Sequence, residues 1–280
     1  MAAVMIVLAP TGGGLGNLLF QYHAAYTHAK QAGSELYILT DLNDDRGRPN
    51  ILHYARLFQH AKFITKEEMH ALAPQGTKAI YEEECHFYVP IPKHTEGLLI
   101  LRGYFQSYKY FTSHAEEISQ LLRSNEQQTW NRAKSQYAQV GKQNTVSVHI
   151  RRGDYKLRPT TFLVLPESYY EGALARFPGR SFLVYAEDID EITGWDVWKN
   201  RDVSFVKEPC PLTTIFMIAQ SQDHIISNST LSLMGVHMCE NKDRRVVGPD
   251  QWFGPDGPAY KLEDFYVGDC GPRLPPQPPY

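Results

Sequence analysis

The 280 residues carry 28 lysines and arginines against 31 aspartates and glutamates, a net charge of −3, and this mild acidity argues against nucleic acid as a partner. Apolar residues at 42% and charged residues at 21% describe a soluble globular chain of one large or two smaller domains and exclude a disordered one. No window reaches the ~18 apolar residues of a transmembrane helix.

The opening MAAVMIVLAP lacks the basic flank of a signal peptide. It is predicted as a buried first strand, and the chain as cytoplasmic. TGGGLGNLLFQY (11–22) follows it and enters a helix predicted over 17–30. Gly13, Gly14, Gly16 and Asn17 sit where backbone N–H groups and a helix N-terminus suit a sugar or phosphate. A tight structural turn is the plainer alternative. A dinucleotide site is the other, with Asp41 after the next strand as its ribose acid, but Asn17 occupies the third glycine's place.

ELYILT (35–40) and GLLIL (97–101) are further strands. Between them Glu82-Glu83-Glu84-Cys85-His86 reads as a solvated charge run rather than a metal cluster. A helix is predicted over 114–124. The polar segment 125–144 then separates two sets of strands, placing a boundary near 140. The resulting division is 1–140, 141–271 and a proline-rich tail, 272–280.

VSVHIRRGDYKLR (146–158) is an apolar strand that breaks into His149, Arg151, Arg152, Gly153 and Asp154. Unpaired buried charge is costly, so the two guanidinium groups need an anionic partner. Their forked donors fit a diphosphate, with Asp154 holding one of them. A surface ion pair is the alternative, and Lys156 and Arg158 read as merely solvated. After helix 167–176, SFLVYA (181–186) ends in Glu187-Asp188-Ile189-Asp190. That run opens a helix with acids or, less in keeping with its surroundings, holds a divalent metal.

VSFV (203–206) precedes Glu208 and a helix over 211–222 with Pro211 in its first turn. HIIS (224–227) then runs into Asn228, Ser229 and Thr230, either an N-cap or a second anion seat. The four cysteines, Cys85, Cys210, Cys239 and Cys270, have no metal or disulfide spacing and read as reduced thiols. Alternating strands and helices imply an α/β architecture with parallel sheets.

GGLGNLLFQY (13–22), LRGYFQSYKYF (101–111), VHIRRGDY (148–155), VYAEDI (184–189), HIISNSTLSLMG (224–235) and VVGPDQWFGP (246–255) resemble, in order and spacing, the motifs of the α-1,2-fucosyltransferase family. The resemblance implies a GT-B-like fold, two Rossmann-like domains facing across a cleft, the N-terminal one mainly for acceptor and the C-terminal one for GDP-L-fucose. It implies inverting, metal-independent transfer of fucose to a glycan hydroxyl, α-1,2 to a galactose-type residue, with GDP-L-fucose as substrate and no cofactor.

Carried over residue by residue, the resemblance makes Arg151 the β-phosphate ligand, with Asp154 and Asn17 beside the chemistry. Donor contacts fall to His149, Arg152, Asp188, Glu208, Asn228, Ser229 and Thr230. Leu18-Leu19 stand where the family usually has Gln-Met, and Leu233-Met234 where aromatic residues are usual. Thr214 occupies the place of an acid, so guanine reading passes to Glu208, Asp188 or backbone. The catalytic base is not identified. The rival classes are a Rossmann-type oxidoreductase and a non-catalytic carbohydrate-binding protein.

Overall fold

The computed structural model describes residues 4–41, 51–73, 78–83, 86–141, 144–208, 210–266 and 269–270. The tail at 272–280 and Cys85 lie outside them. The chain divides into two compact units, Met1–Gln127 and Gln128–Tyr280.

Unit 1 contains β1 (Val4–Leu8), α1 (Leu15–Ala32), β2 (Leu36–Leu39), β3 (Ala61–Ile64), α2 (Lys66–Leu72), β4 (Lys78–Glu82), β5 (Gly97–Arg102) and α3 (Ala115–Asn125). Its five strands are all parallel, in the order β3-β2-β1-β5-β4. The first strand is therefore central and must be apolar on both faces. Accordingly Met5, Val7, Leu98 and Ile100 pack with Leu39, Ile64 and Met69 in one cluster, while Ile6 and Leu8 are also fully buried.

Helix α1 buries most of its circumference, polar Gln21, His23, Thr27 and His28 included. It ends at Gly33, whose φ of 63° lets the chain turn off the helix without a Cβ penalty. Asp41, the residue of the dinucleotide reading, accepts a hydrogen bond at 3.1 Å from the Lys66 amide in the first turn of α2. That contact supports a helix end.

Unit 2 contains α4 (Gln127–Val140), β6 (Thr145–Ile150), α5 (Glu167–Leu174), β7 (Ser181–Ala186), α6 (Ile189–Ile192), β8 (Asp202–Val206), α7 (Pro211–Ile218), β9 (Asp223–Ile225), α8 (Thr230–His237), β10 (Val246–Gly248) and β11 (Asp269–Cys270). The parallel order is β11-β10-β9-β6-β7-β8, that of a doubly wound Rossmann sheet. Val146, Val148 and Ile150 face Tyr169, Tyr170, Leu174, Ile192 and Trp198 in the larger core. Strand alternation sends Ser147 and His149 to the other face. Among the described side chains, Cys210 and Cys239 are thiols outside any disulfide.

Candidate active site

In unit 2 the first strand, β6, lies between β7 and β9, so the chain leaves β6 and β9 toward opposite sides of the sheet. Such a switch point opens a crevice at the strands' C-terminal edge, the usual ligand site of an open α/β sheet. Two hydrogen bonds span it. His149 Nδ1 meets Ser227 Oγ at 2.9 Å, and the Tyr155 hydroxyl donates to the Asn228 carbonyl at 2.9 Å. Burial, with a smaller push from the Arg151 charge, lowers the His149 pKa to about 3. Its ring is neutral near neutral pH, so the bond to Ser227 sets the tautomer.

Arg151 leaves β6 with each arm of its fork on a carboxylate. One nitrogen pairs with Glu187 at the end of β7, the other with Asp154 at 2.6 Å, and the guanidinium lies 5.2 Å from the Tyr155 ring centre. Gly153 makes this possible, because a Cβ there would collide with the Glu187 carboxylate. Arg152 turns away: its Nε bonds Glu191 at 2.7 Å, and its guanidinium rests over Trp195. Lys156, expected to be simply solvated, also pairs with Glu191. These charges are local and balanced, which explains why net charge gives no hint of them.

The loop after β9 divides its labour. Asn228 is buried, and its side-chain amide donates to the Leu163 and Trp252 carbonyls at 2.9 and 2.8 Å. It ties two loops together beneath the edge. Ser229 is the N-cap of α8 and accepts from the Leu231 amide at 3.3 Å. Thr230 opens the helix, half-buried.

The two acids suggested for guanine differ sharply. Glu208 has a side chain only 7% exposed, and its oxygens accept from Gln136 at 3.0 Å and from the Cys210 amide at 2.9 Å, with Arg132 3.9 Å away. Asp188 is exposed at the start of α6 and makes no capping bond. Thr214 is buried, its hydroxyl donating to the Cys210 carbonyl at 3.2 Å. Among the described residues, no group of three or more His, Cys, Asp or Glu side chains could hold a metal.

Unit 1 has its own switch point, between β1 and β5. The glycine loop lies there. Gly12 and Gly13 take φ of 86° and 100°, and a Cβ on Gly13 would strike the Asn17 amide, so glycine is required for the turn into α1. Gly14 is the N-cap of that helix, Gly16 is buried in its first turn, and Asn17 is half-buried. Gln21 clamps the loop, accepting from the Thr11 amide at 2.9 Å and donating to the Gly12 carbonyl at 3.1 Å.

Across the crevice, Thr11 Oγ1 donates to the Gly103 carbonyl at 2.8 Å, and Gln106 donates to Asn17 Oδ1 at 2.9 Å. Glu83 leaves β4 beside the same loop. Its Oε2 accepts from the Phe105 amide at 2.5 Å, and its Oε1 is buried without a hydrogen-bond partner. The solvated run expected at 82–86 therefore holds for Glu82 but not for Glu83. His86, too, is partly enclosed, stacked on Tyr104 with ring centres 5.5 Å apart.

Sequence reading missed Glu83, Glu187 and Gln21. Glu187 directly follows the predicted strand 181–186, and that position was the available signal.

Two Rossmann-like parallel units, each with polar residues gathered at its switch point, define a protein of GT-B architecture. The solved structures agree on the fold: the fucosyltransferase NodZ from Bradyrhizobium aligns with a TM-score of 0.51 at 13% identity, covering 83% of this chain and 92% of that one. POFUT1 in complex with GDP aligns at 0.51 and 13%, covering 93% and 98%. The sequence model of glycosyl transferase family 11 matches residues 88–252, more than half of the chain, and the chain belongs to that family. An α-1,2-colitosyltransferase of Escherichia coli is 27% identical over 89% of this chain and 92% of its own length. The O-antigen biosynthesis glycosyltransferase WbnK, also of Escherichia coli, is 25% identical over 91% and 97%. No helix among the described residues is long and apolar enough to cross a membrane.

Proposed function

We propose that this glycosyltransferase moves L-fucose from GDP-L-fucose to a hydroxyl of a galactose-type residue, forming an α-1,2 linkage with inversion, and that unit 2 binds the donor while unit 1 serves the acceptor. The observation that carries the reading is the Arg151 fork at the C-terminal edge of β6, beside the crevice that His149 and Ser227 span. In the transfer, the acceptor oxygen forms a bond to the anomeric carbon as the bond to the diphosphate oxygen breaks. The electron pair stays on GDP, and the acceptor proton goes to a base. Arg151 stabilises the growing negative charge on the β-phosphate, with the α8 N-terminus, capped by Ser229, and Thr230 adding donors. This protein-borne charge stabilisation makes a divalent metal unnecessary for that step.

Asp188, rather than Glu208, is the carboxylate for the N1–H and 2-amino edge of guanine, because Glu208 is already committed to Gln136 and Cys210. Asp188→Ala should raise the donor KM about tenfold with a smaller change in kcat. The same rise in Glu208→Ala but not in Asp188→Ala would reverse the assignment.

The deciding experiment incubates the purified protein with GDP-fucose and a panel of β-galactosides in EDTA. GDP release coupled to a fucosylated product, with UDP- and CMP-sugars inert, is expected. The colitosyltransferase relative makes GDP-colitose the second donor to include. Preference for it would keep the chemistry and change the sugar, and dependence on Mn²⁺ would bring Asp188 and Asp190 back as metal ligands.

A further inference from the structure

Resting on the transfer reaction above, we infer that Glu83 is the general base that takes the proton from the acceptor hydroxyl. The mechanism requires such a group, and among the described residues of the unit 2 crevice the candidates have other assignments, Asp188 the guanine edge. Asp154 and Glu187 are held by Arg151, and His149 is engaged with Ser227. Asn17 orients a hydroxyl but does not accept its proton at neutral pH.

Glu83 lies at the C-terminal edge of the unit 1 sheet, one residue past β4, the neighbour of β5. The chain goes to some length to place it there. Gly103 has φ of 147°, where a Cβ would meet Glu83, and Phe105 is a fully buried non-glycine residue at φ 51°. A strained backbone of this kind persists only where its surroundings impose it. Here it aims the Phe105 amide at one oxygen of the carboxyl. The carboxyl is thereby fixed, with one oxygen on the Phe105 amide and the other buried, an ordered, poorly hydrated proton acceptor.

The same loop is tied through Gly103 to Thr11, and through Gln106 to Asn17. The carboxyl therefore belongs to the structure that shapes the unit 1 crevice. The groups that affect its charge are the Phe105 and Tyr104 amides and the Tyr110 hydroxyl, which favour ionisation; burial outweighs them and brings the pKa up to about 7. A base poised there is half-ionised near neutral pH, the range in which proton transfer is most effective.

Glu83→Gln separates this role from a structural one, since glutamine keeps the shape, still accepts from the Phe105 amide and mimics the protonated carboxyl. For the full-length protein with GDP-fucose and its acceptor, kcat should fall at least ~100-fold, with donor KM within about twofold. The acid limb of the wild-type pH–rate profile, near pH 7, should disappear. The affinity for GDP alone, read by calorimetry, should stay within about twofold, because binding the nucleotide transfers no acceptor proton.

Glu83→Asp, retaining a displaced carboxylate, should recover part of the rate and keep an acid limb, and it serves as the test if the glutamine variant does not fold. An active wild type whose Glu83→Gln variant keeps its turnover and pH profile overturns the assignment of Glu83 alone. A wild type that transfers no sugar from any nucleotide donor instead overturns the reaction on which it rests.

Discussion

Arg151→Ala loses at least ~100-fold in turnover while its melting temperature stays close to that of the wild type. On the proposed function the loss is catalytic, because the guanidinium is the donor assigned to the leaving diphosphate, and one preorganised donor of this kind contributes ~3–4 kcal/mol to the transition state. Stability changes little because the two carboxylates left behind are half exposed, with side chains 50% and 56% accessible. Water takes over their solvation, and exposed pairs contribute ~1 kcal/mol or less. Arg151→Lys should fail as well, since a point-charge ammonium cannot reproduce the planar, forked donor set of a guanidinium. Near-normal steady-state rates for both variants, with unchanged thermal melts, would remove Arg151 from the mechanism.

Acid weakens the native state well before its carboxylates titrate. His23, His149 and His224 are fully enclosed, and burial lowers their pKa values to about 4, 3 and 3. His86 and His28 are shifted in the same direction, also by burial. A depressed folded pKa means that the unfolded chain binds the proton first. The stability is intact above the ordinary histidine value of 6.5 and drains away as pH falls toward the folded value. Each fully enclosed ring costs about 1.4 kcal/mol per pH unit in the steep part of that range, so the three together remove on the order of 4 kcal/mol between pH 7.5 and 5.5.

Glu83 works the other way. Its folded pKa is raised, so its contribution is present at low pH and is lost as pH climbs toward 7. It offsets the histidines by about 2 kcal/mol over the same interval. Urea midpoints should therefore fall from pH 7.5 to 5.5, more steeply in Glu83→Gln and less steeply in His23→Gln. A midpoint independent of pH in all three proteins would show that these rings are not neutral in the folded state.

How much of this was legible in the sequence follows the physics of each element. Central strands bury both faces, and their apolar runs at 2–9, 97–101, 146–150 and 181–186 mark β1, β5, β6 and β7 to within about two residues. β3 and β4 were missed for want of an apolar run. AKFI and KAIYE carry charge on their exposed positions, with burial alternating or absent, so neither makes a hydrophobic run. Helix α4 was missed for a related reason: Trp130, Ala133 and Tyr137 are at helical spacing, but only Ala133 is buried, and polar composition hid the stripe.

In the site, the strand-end arginines were readable because charge following a buried run demands a partner. Glu83 was not, because its neighbours in sequence are acids and its neighbours in space, Gly103 and Phe105, come from a strand end some twenty residues later. Nothing local distinguishes a buried carboxyl in an acidic run.

The bracketing of Arg151 by Glu187 and Asp154 makes the donor site an ion exchanger rather than an open positive socket. An incoming anion meets a guanidinium already flanked by two carboxylates, so a small ion such as inorganic phosphate gains little there. On the proposed function, a nucleotide diphosphate offsets this with its additional contacts. If the proposed function holds, this arrangement favours the sugar nucleotide over small anions at the cost of raw affinity, and the glycine at 153 leaves the room in which Glu187 closes on the fork.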